Sequence, residues 1–135
     1  MKTKENLDIK LKVLNQVGTG EAFNYLGQAK YRIGQTVIHV RFCGTDLRGL
    51  PHYKFNINPN TLSADYELWI CGQADSYYLI PIHIINDINS HPDAYPDNRN
   101  PGYTIVSLNI KSHKLTYARG GVSLNIKPYW GVVLK

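Results

Sequence analysis

Apolar and polar residues alternate along much of this chain with a period of two, the pattern of half-buried β-strands. Leu7, Ile9, Leu11 and Val13 alternate with Asp8, Lys10 and Lys12, predicting a first strand. A second runs from Gln35 to Phe42, with Val37, Ile38, Val40 and Phe42 apolar and His39 and Arg41 sharing a polar face. In a third, Tyr53, Phe55 and Ile57 alternate with Lys54 and Asn56. Asn58-Pro59-Asn60 closes it, because proline cannot continue a central ladder. The longest apolar run, Ala64 to Ile85, contains two arms, Tyr66 to Cys71 and Ser76 to Ile82. The polar Gly72-Gln73-Ala74-Asp75 between them predicts a hairpin.

Other segments read differently. Thr19 is a fair N-cap, and Glu21 to Leu26, stopped by Gly27, is expected to form a short helix. Pro81 takes the second arm of the hairpin out of its ladder, so Ile82 to Ile88 is expected to turn into another. Asn89 to Gly102, rich in Pro, Asn and Asp, is a long loop of the kind that tends to be functional or mobile. VSLNIK occurs twice, at Val106 to Lys111 and Val122 to Lys127, and predicts a hairpin of two identical strands around Lys114 to Gly121. Two copies are too few for a solenoid. The expectation is a single α+β domain over residues 1–135, strand-dominated, with a mixed or antiparallel sheet and one to three short helices.

Composition adds bounds. A chain of 135 residues with 43% hydrophobic and 19% charged content can build one core without disulfides or a structural metal. Met1 to Ile9 is charged and no apolar run approaches a membrane span, so a cytoplasmic chain with no membrane partner is expected. Cys43 and Cys71 read as reduced thiols, with a disulfide open to them only if their strand ends are neighbours. The net charge of +5 is uneven: residues 1–60 carry nine Lys/Arg against four acids, 61–100 one against six, and 101–135 five against none. A basic surface interrupted by an acidic segment suits a polyanion binder.

The five histidines lie on five segments with no ligand spacing between them, which argues against a zinc site. No nucleophile elbow, dinucleotide fingerprint or phosphate loop is present.

What remains is an ordered set of features: Ile38-His39-Val40-Arg41, then Ala64-Asp65-Tyr66, then Tyr78-Leu79-Ile80-Pro81 and the segment after it. In order and spacing, Gln35 to Pro81 resembles the PD-(D/E)XK, or restriction-endonuclease-like, superfamily of nucleases, nearest its small intron-encoded endonucleases. Tyr129-Trp130 resembles the aromatic end of such domains. The resemblance implies DNA as partner, with Mg²⁺ held by an Asp and a Glu or Gln beside a Lys that orients the attacking water. At the corresponding triplet this chain has His39 and Arg41, one a poor ligand for a hard cation and the other never deprotonated. One hairpin earlier, Lys30 to Gln35 contains no acid, and Glu21 is the nearest candidate. The resemblance therefore implies a DNA-binding domain with His39, Arg41 and Glu21 at remodelled catalytic positions. The replacements weigh against cleavage, and Mg²⁺ is required only if the chain cleaves. A second register places Asp93 and Asp97 before Asn109-Ile110-Lys111, although Pro-Asp pairs in such a loop are turn residues first.

DNA binding itself needs no cleavage. Lys10, Lys12, Lys30, Arg32, Arg48 and Lys54 are expected beside strands, sharing a solvent face with Tyr25, Tyr31 and His52. The competing expectation is a non-enzymatic β-rich interaction or self-assembling domain, with a homodimer as one form, and Lys residues protecting its edges.

Overall fold

The computed structural model describes residues 2–134. It is an α+β domain of nine strands in two sheets with two α-helices. The first helix, α1 (Lys2–Val17), stands where a strand is expected over Leu7 to Val13. The alternation there is real, but it hides a helical stripe: Ile9, Val13, Leu14 and Val17 recur at one-turn and two-turn spacings. Val13, Leu14 and Val17 are buried, while Leu7 and Leu11 face outward. The helix ends at Gly18-Thr19-Gly20, where the N–H of Gly20 bonds to the carbonyl of Asn15 and Thr19 and Gly20 have positive φ. Thr19 thus finishes one helix and does not start another.

The expected helix from Glu21 to Leu26 is instead strand β1 (Phe23–Gly27), paired with β2 (Lys30–Ile33). Gln28 and Ala29 join them with φ of 53° and 60°, the two positive values of a type I′ turn. Neither residue belongs to the usual Asn-Gly signature of that turn, so the hairpin leaves no mark in the sequence. Next come β3 (Thr36–Cys43), β4 (His52–Ile57), β5 (Tyr66–Cys71) and β6 (Tyr77–Pro81). Helix α2 (Ile82–Asn89) follows Pro81 as expected and buries Ile85 and Ile88. The chain closes with β7 (Thr104–Asn109), β8 (Lys114–Ala118) and β9 (Val122–Asn125).

The strands divide between a sheet ordered β1-β2-β3-β5-β6 and one ordered β4-β7-β8-β9. The first is mixed: β3 and β5 run parallel, and β4 leaves for the other sheet between them. The second is antiparallel throughout. The two VSLNIK copies do not pair with each other. Lys114 to Ala118, expected as part of a turn, is strand β8 and lies between them. Its own Lys-Leu-Thr-Tyr-Ala alternation, with Leu115 buried, gives it an apolar side to contribute.

The layers run α1, five-stranded sheet, four-stranded sheet. Val13, Leu14 and Val17 of α1 pack on Tyr31, Ile33, Ile38, Val40, Leu68, Ile70, Tyr77 and Leu79. The alternate residues Trp69, Cys71, Tyr78 and Ile80 face the second sheet and meet Tyr53, Phe55, Ile57, Val106, Leu108 and Leu115. Hairpin β5–β6 is therefore covered on both faces, which is why Ala64 to Ile85 is the chain's longest apolar run. Among the described residues, no helix is long and apolar enough to cross a membrane.

Candidate functional site

Strand β3 carries the residues singled out by the sequence, and its register with its neighbours determines their chemistry. Lys30, His39, Glu67 and Ile80 form one row across β2, β3, β5 and β6. Arg41, Trp69 and Tyr78 form the next row, and Cys43 and Cys71 the last. All of them point toward the four-stranded sheet, and Arg32 shares this face one row outward, opposite Val37.

His39 is 4% exposed and its Nδ1 lies 2.8 Å from Oε2 of Glu67, which is 3% exposed. The other carboxylate oxygen of Glu67 accepts a 3.0 Å bond from the indole N–H of Trp69. Trp69 in turn stacks on Phe55 of the facing sheet, centroids 4.7 Å apart and planes within 10°. A buried carboxylate is tolerable only when its oxygens are satisfied, and here they are. The pair is closed between two layers, so it orders the interior and does not meet a substrate directly.

One row further, Arg41 reaches the surface. Its guanidinium donates to the backbone carbonyl of Asn56 (3.1 Å) and to the side-chain Oδ1 of Asn56 (2.5 Å). The amide nitrogen of Asn56 donates to Oδ2 of Asp97 (3.1 Å). Asp97 also accepts from the side-chain amide of Asn100 and from the backbone N–H of Arg99. These bonds, that from Asn100 foremost, hold its carboxyl down to about 2, so it stays ionised. Arg41, Asn56 and Asp97 line a cleft of about 520 Å³ with Lys54, Phe55, Ile105, Asn98, Arg99 and Asn100. Three cations thus face a site with one acid, and that acid is already engaged by three donors.

The long loop supplies half of this cleft and is anchored to the sheet. The N–H of Tyr95 bonds to the carbonyl of Tyr117, and the N–H of Ile105 to the carbonyl of Tyr95. Ala94 and Pro96 form isolated bridges with Ala118 and Thr104.

The remaining sequence candidates scatter. Glu21 sits against Gly34 in the β2–β3 turn, beyond the Ile33–Thr36 rung, which is itself three ladder steps, roughly 10 Å, from the His39 row. Lys10 and Lys12 ride on α1, the opposite outer layer from the cleft, and not on a strand. Lys30 donates to the hydroxyl of Ser63 (3.0 Å). Arg32 is exposed and Tyr31 is buried under α1, not on the solvent face expected for it. Arg48 is exposed and paired with Asp46 at 2.7 Å, and Lys54 is exposed on β4. In the second register only Asp97 reaches the cleft. Asp93 accepts the N–H of Arg119 through its backbone carbonyl, and the Asn109 side chain closes the turn before β8 by accepting from Lys111 and Ser112. Asp65, a marker of the resemblance, pins β5 to β3: its Oδ2 accepts from the N–H of Val37 (2.8 Å).

Glu67, Asn56 and Arg99 escaped the sequence reading. A lone acid inside Tyr-Glu-Leu-Trp-Ile was a usable signal, since an acid in an apolar run needs a buried partner. The donor set does not suit Mg²⁺. The face that would hold the ion presents Lys30, Arg32 and Arg41, and its Glu67 is committed to His39 and Trp69. Among the described residues, no three His, Cys, Asp or Glu side chains group as a metal site. Cys43 and Cys71 are free thiols at neighbouring strand ends, and burial pushes both pKa values up.

The chain matches no family model, no curated protein and no solved structure.

Proposed function

We propose that this protein binds DNA through the Arg41 cleft, as a cytoplasmic domain similar to PD-(D/E)XK endonucleases that has kept the DNA surface and replaced the metal-binding acids. The observation that carries this reading is the convergence of Arg41, Lys54 and Arg99 on one cleft whose acid, Asp97, is already bonded to Asn56, Asn100 and Arg99. Arg41 is held in place by Asn56, so it meets a phosphate without first losing rotamer freedom. Lys54 and Arg99 are exposed and add mobile charge beside it. Where an active relative would coordinate a metal, this chain offers cations to the phosphate itself, and no hydrolytic step is assigned.

Duplex binding measured by anisotropy across a salt series tests the reading. Affinity is expected to fall steeply with salt, and Lys54→Gln with Arg99→Gln to reduce the log–log slope by about 2. No binding, or binding insensitive to salt, would overturn it. Plasmid nicking with Mg²⁺ or Mn²⁺ that is lost in Arg41→Ala would restore a catalytic role to the β3 triplet.

One observation favours a second reading, self-association without DNA. Strand β1 is an edge of the five-stranded sheet and exposes Tyr25 (63%) and Leu26 (43%). Unpaired edges are templates for pairing with another chain. A concentration-independent dimer by light scattering, with no DNA affinity, would select that reading.

A further inference from the structure

The duplicated VSLNIK segment has a spatial consequence. Because β8 lies between its two copies, Ser107 and Ser123 flank Thr116, and Asn109 and Asn125 flank Lys114. Strand β4 extends both rows, placing Lys54 beside Ser107 and His52 beside Asn109. The side chains alternate with the buried Tyr53, Phe55, Val106, Leu108 and Leu115, so these rows form the outer face of the four-stranded sheet. The result is a grid of hydroxyls, amides and cations with strands ~4.8 Å apart and rows ~6.7 Å apart.

Three features separate this grid from an ordinary solvated sheet face. No acid stands in either row, whereas exposed faces generally mix both signs. The amide oxygens of Asn109 and Asn125 accept from turn N–H groups (Lys111 and Ser112 for one, Lys127 for the other), so their NH₂ donors are what each offers outward. The grid is also continuous with the cleft. Lys54 lines both the cleft and a second depression of about 510 Å³, and Arg48 and Ser107 line that second one and a third of about 170 Å³, which includes His52, Asn109, Lys114 and Thr116. Along this path the one further acid, Asp46, is bonded to Arg48.

We propose that the outer face of the four-stranded sheet is a second contact for the phosphate backbone of duplex DNA, continuing the path that enters at the Arg41 cleft. This rests on the DNA-binding reading of that cleft. The partner is backbone and not bases, because the grid contains donors and charge but, beyond the single His52 ring at its β4 edge, no aromatic side chain on which an unpaired base would stack. Phosphate contacts carry no sequence information directly, so this face binds unrelated duplexes equally.

The test compares Lys114→Gln and Lys114→Glu with the cleft variant Arg99→Gln, which lies outside the grid, using two short duplexes of unrelated sequence and one of their single strands. Folding of each variant is checked by its thermal melt. The expected result is a salt slope lower by about 0.9 in Lys114→Gln, an affinity lower by about tenfold in Lys114→Glu, and equal losses on both duplexes. If both Lys114 variants bind like the parent while the cleft variant weakens, the second contact is wrong and the cleft reading stands. If the parent binds neither duplex, both fall. A single strand bound more tightly than its duplex would overturn the assignment of the partner.

Discussion

The two faces of the five-stranded sheet are made from alternate residues of the same strands, yet they solve different problems. Toward α1, Ile38, Val40, Leu68, Ile70 and Leu79 meet Val13, Leu14 and Val17 in an apolar layer that also takes in Tyr31 and Tyr77. Toward the second sheet, the intervening positions hold His39, Arg41, Glu67, Trp69 and Tyr78. The first face depends on area removed from water, which tolerates modest changes in shape. The second depends on a chain of specific partners, Glu67 between His39 and Trp69, then Arg41 to Asn56 to Asp97. Local polarity thus decides which face can lead to a surface site: the α1 layer ends in solvent, while the other ends in a cationic cleft.

Truncation separates the faces most sharply. Trp69→Ala removes the ring stacked on Phe55 and one donor to Glu67, and is expected to cost ~4 kcal/mol in urea unfolding. Leu68→Ala, a truncation to the same residue on the α1 face that removes no hydrogen bond, should cost ~3 kcal/mol. Equal losses would mean that the stacked pair contributes no more than bulk packing. A subtler comparison replaces charge. Glu67→Leu alone strands His39 and the Trp69 indole N–H in the interior and should destabilise by ~3 kcal/mol, whereas adding His39→Leu should recover only the part owed to the unpaired histidine. If the double variant is as stable as the parent but binds DNA more weakly, the pair serves to position Arg41 and not to hold the fold.

The smallest effect lies at the cleft. Asp97 titrates at about 2 against an ordinary 3.8, so whatever stability it lends is complete above about pH 4 and is lost as pH falls through 2. Asn100→Ala removes the largest cause of that depression. Its carboxyl resonance should then titrate closer to the ordinary value, with little change in melting temperature at neutral pH. An unchanged midpoint would show that Asn56 and the Arg99 N–H suffice.

How much of this was legible depends on how local the determining forces were. Strands β3 to β6 follow the expected bounds closely, because period-two alternation, aromatic and β-branched residues and Gly or Pro at the ends all act within a few residues. Leu7 to Val13 misled because alternation over so few residues also satisfies a helical stripe, and only the apolar face offered by β2, β3, β5 and β6 selects the helix. The hairpin at Gln28-Ala29 was hidden because it places positive φ on residues that seldom adopt it.

The chain by itself determined a strand-dominated α+β domain, the β5–β6 hairpin and its following helix, and β3 as the strand bearing His39 and Arg41. Only the tertiary structure decided that His39 meets Glu67, 28 residues away, since parallel register is set by the packing of both faces and not by any local signal. The same holds for the cleft. Arg41, Asn56 and Asp97 come from two strands and a loop, joined because each buried or half-buried polar group had to find a partner the sequence does not place beside it.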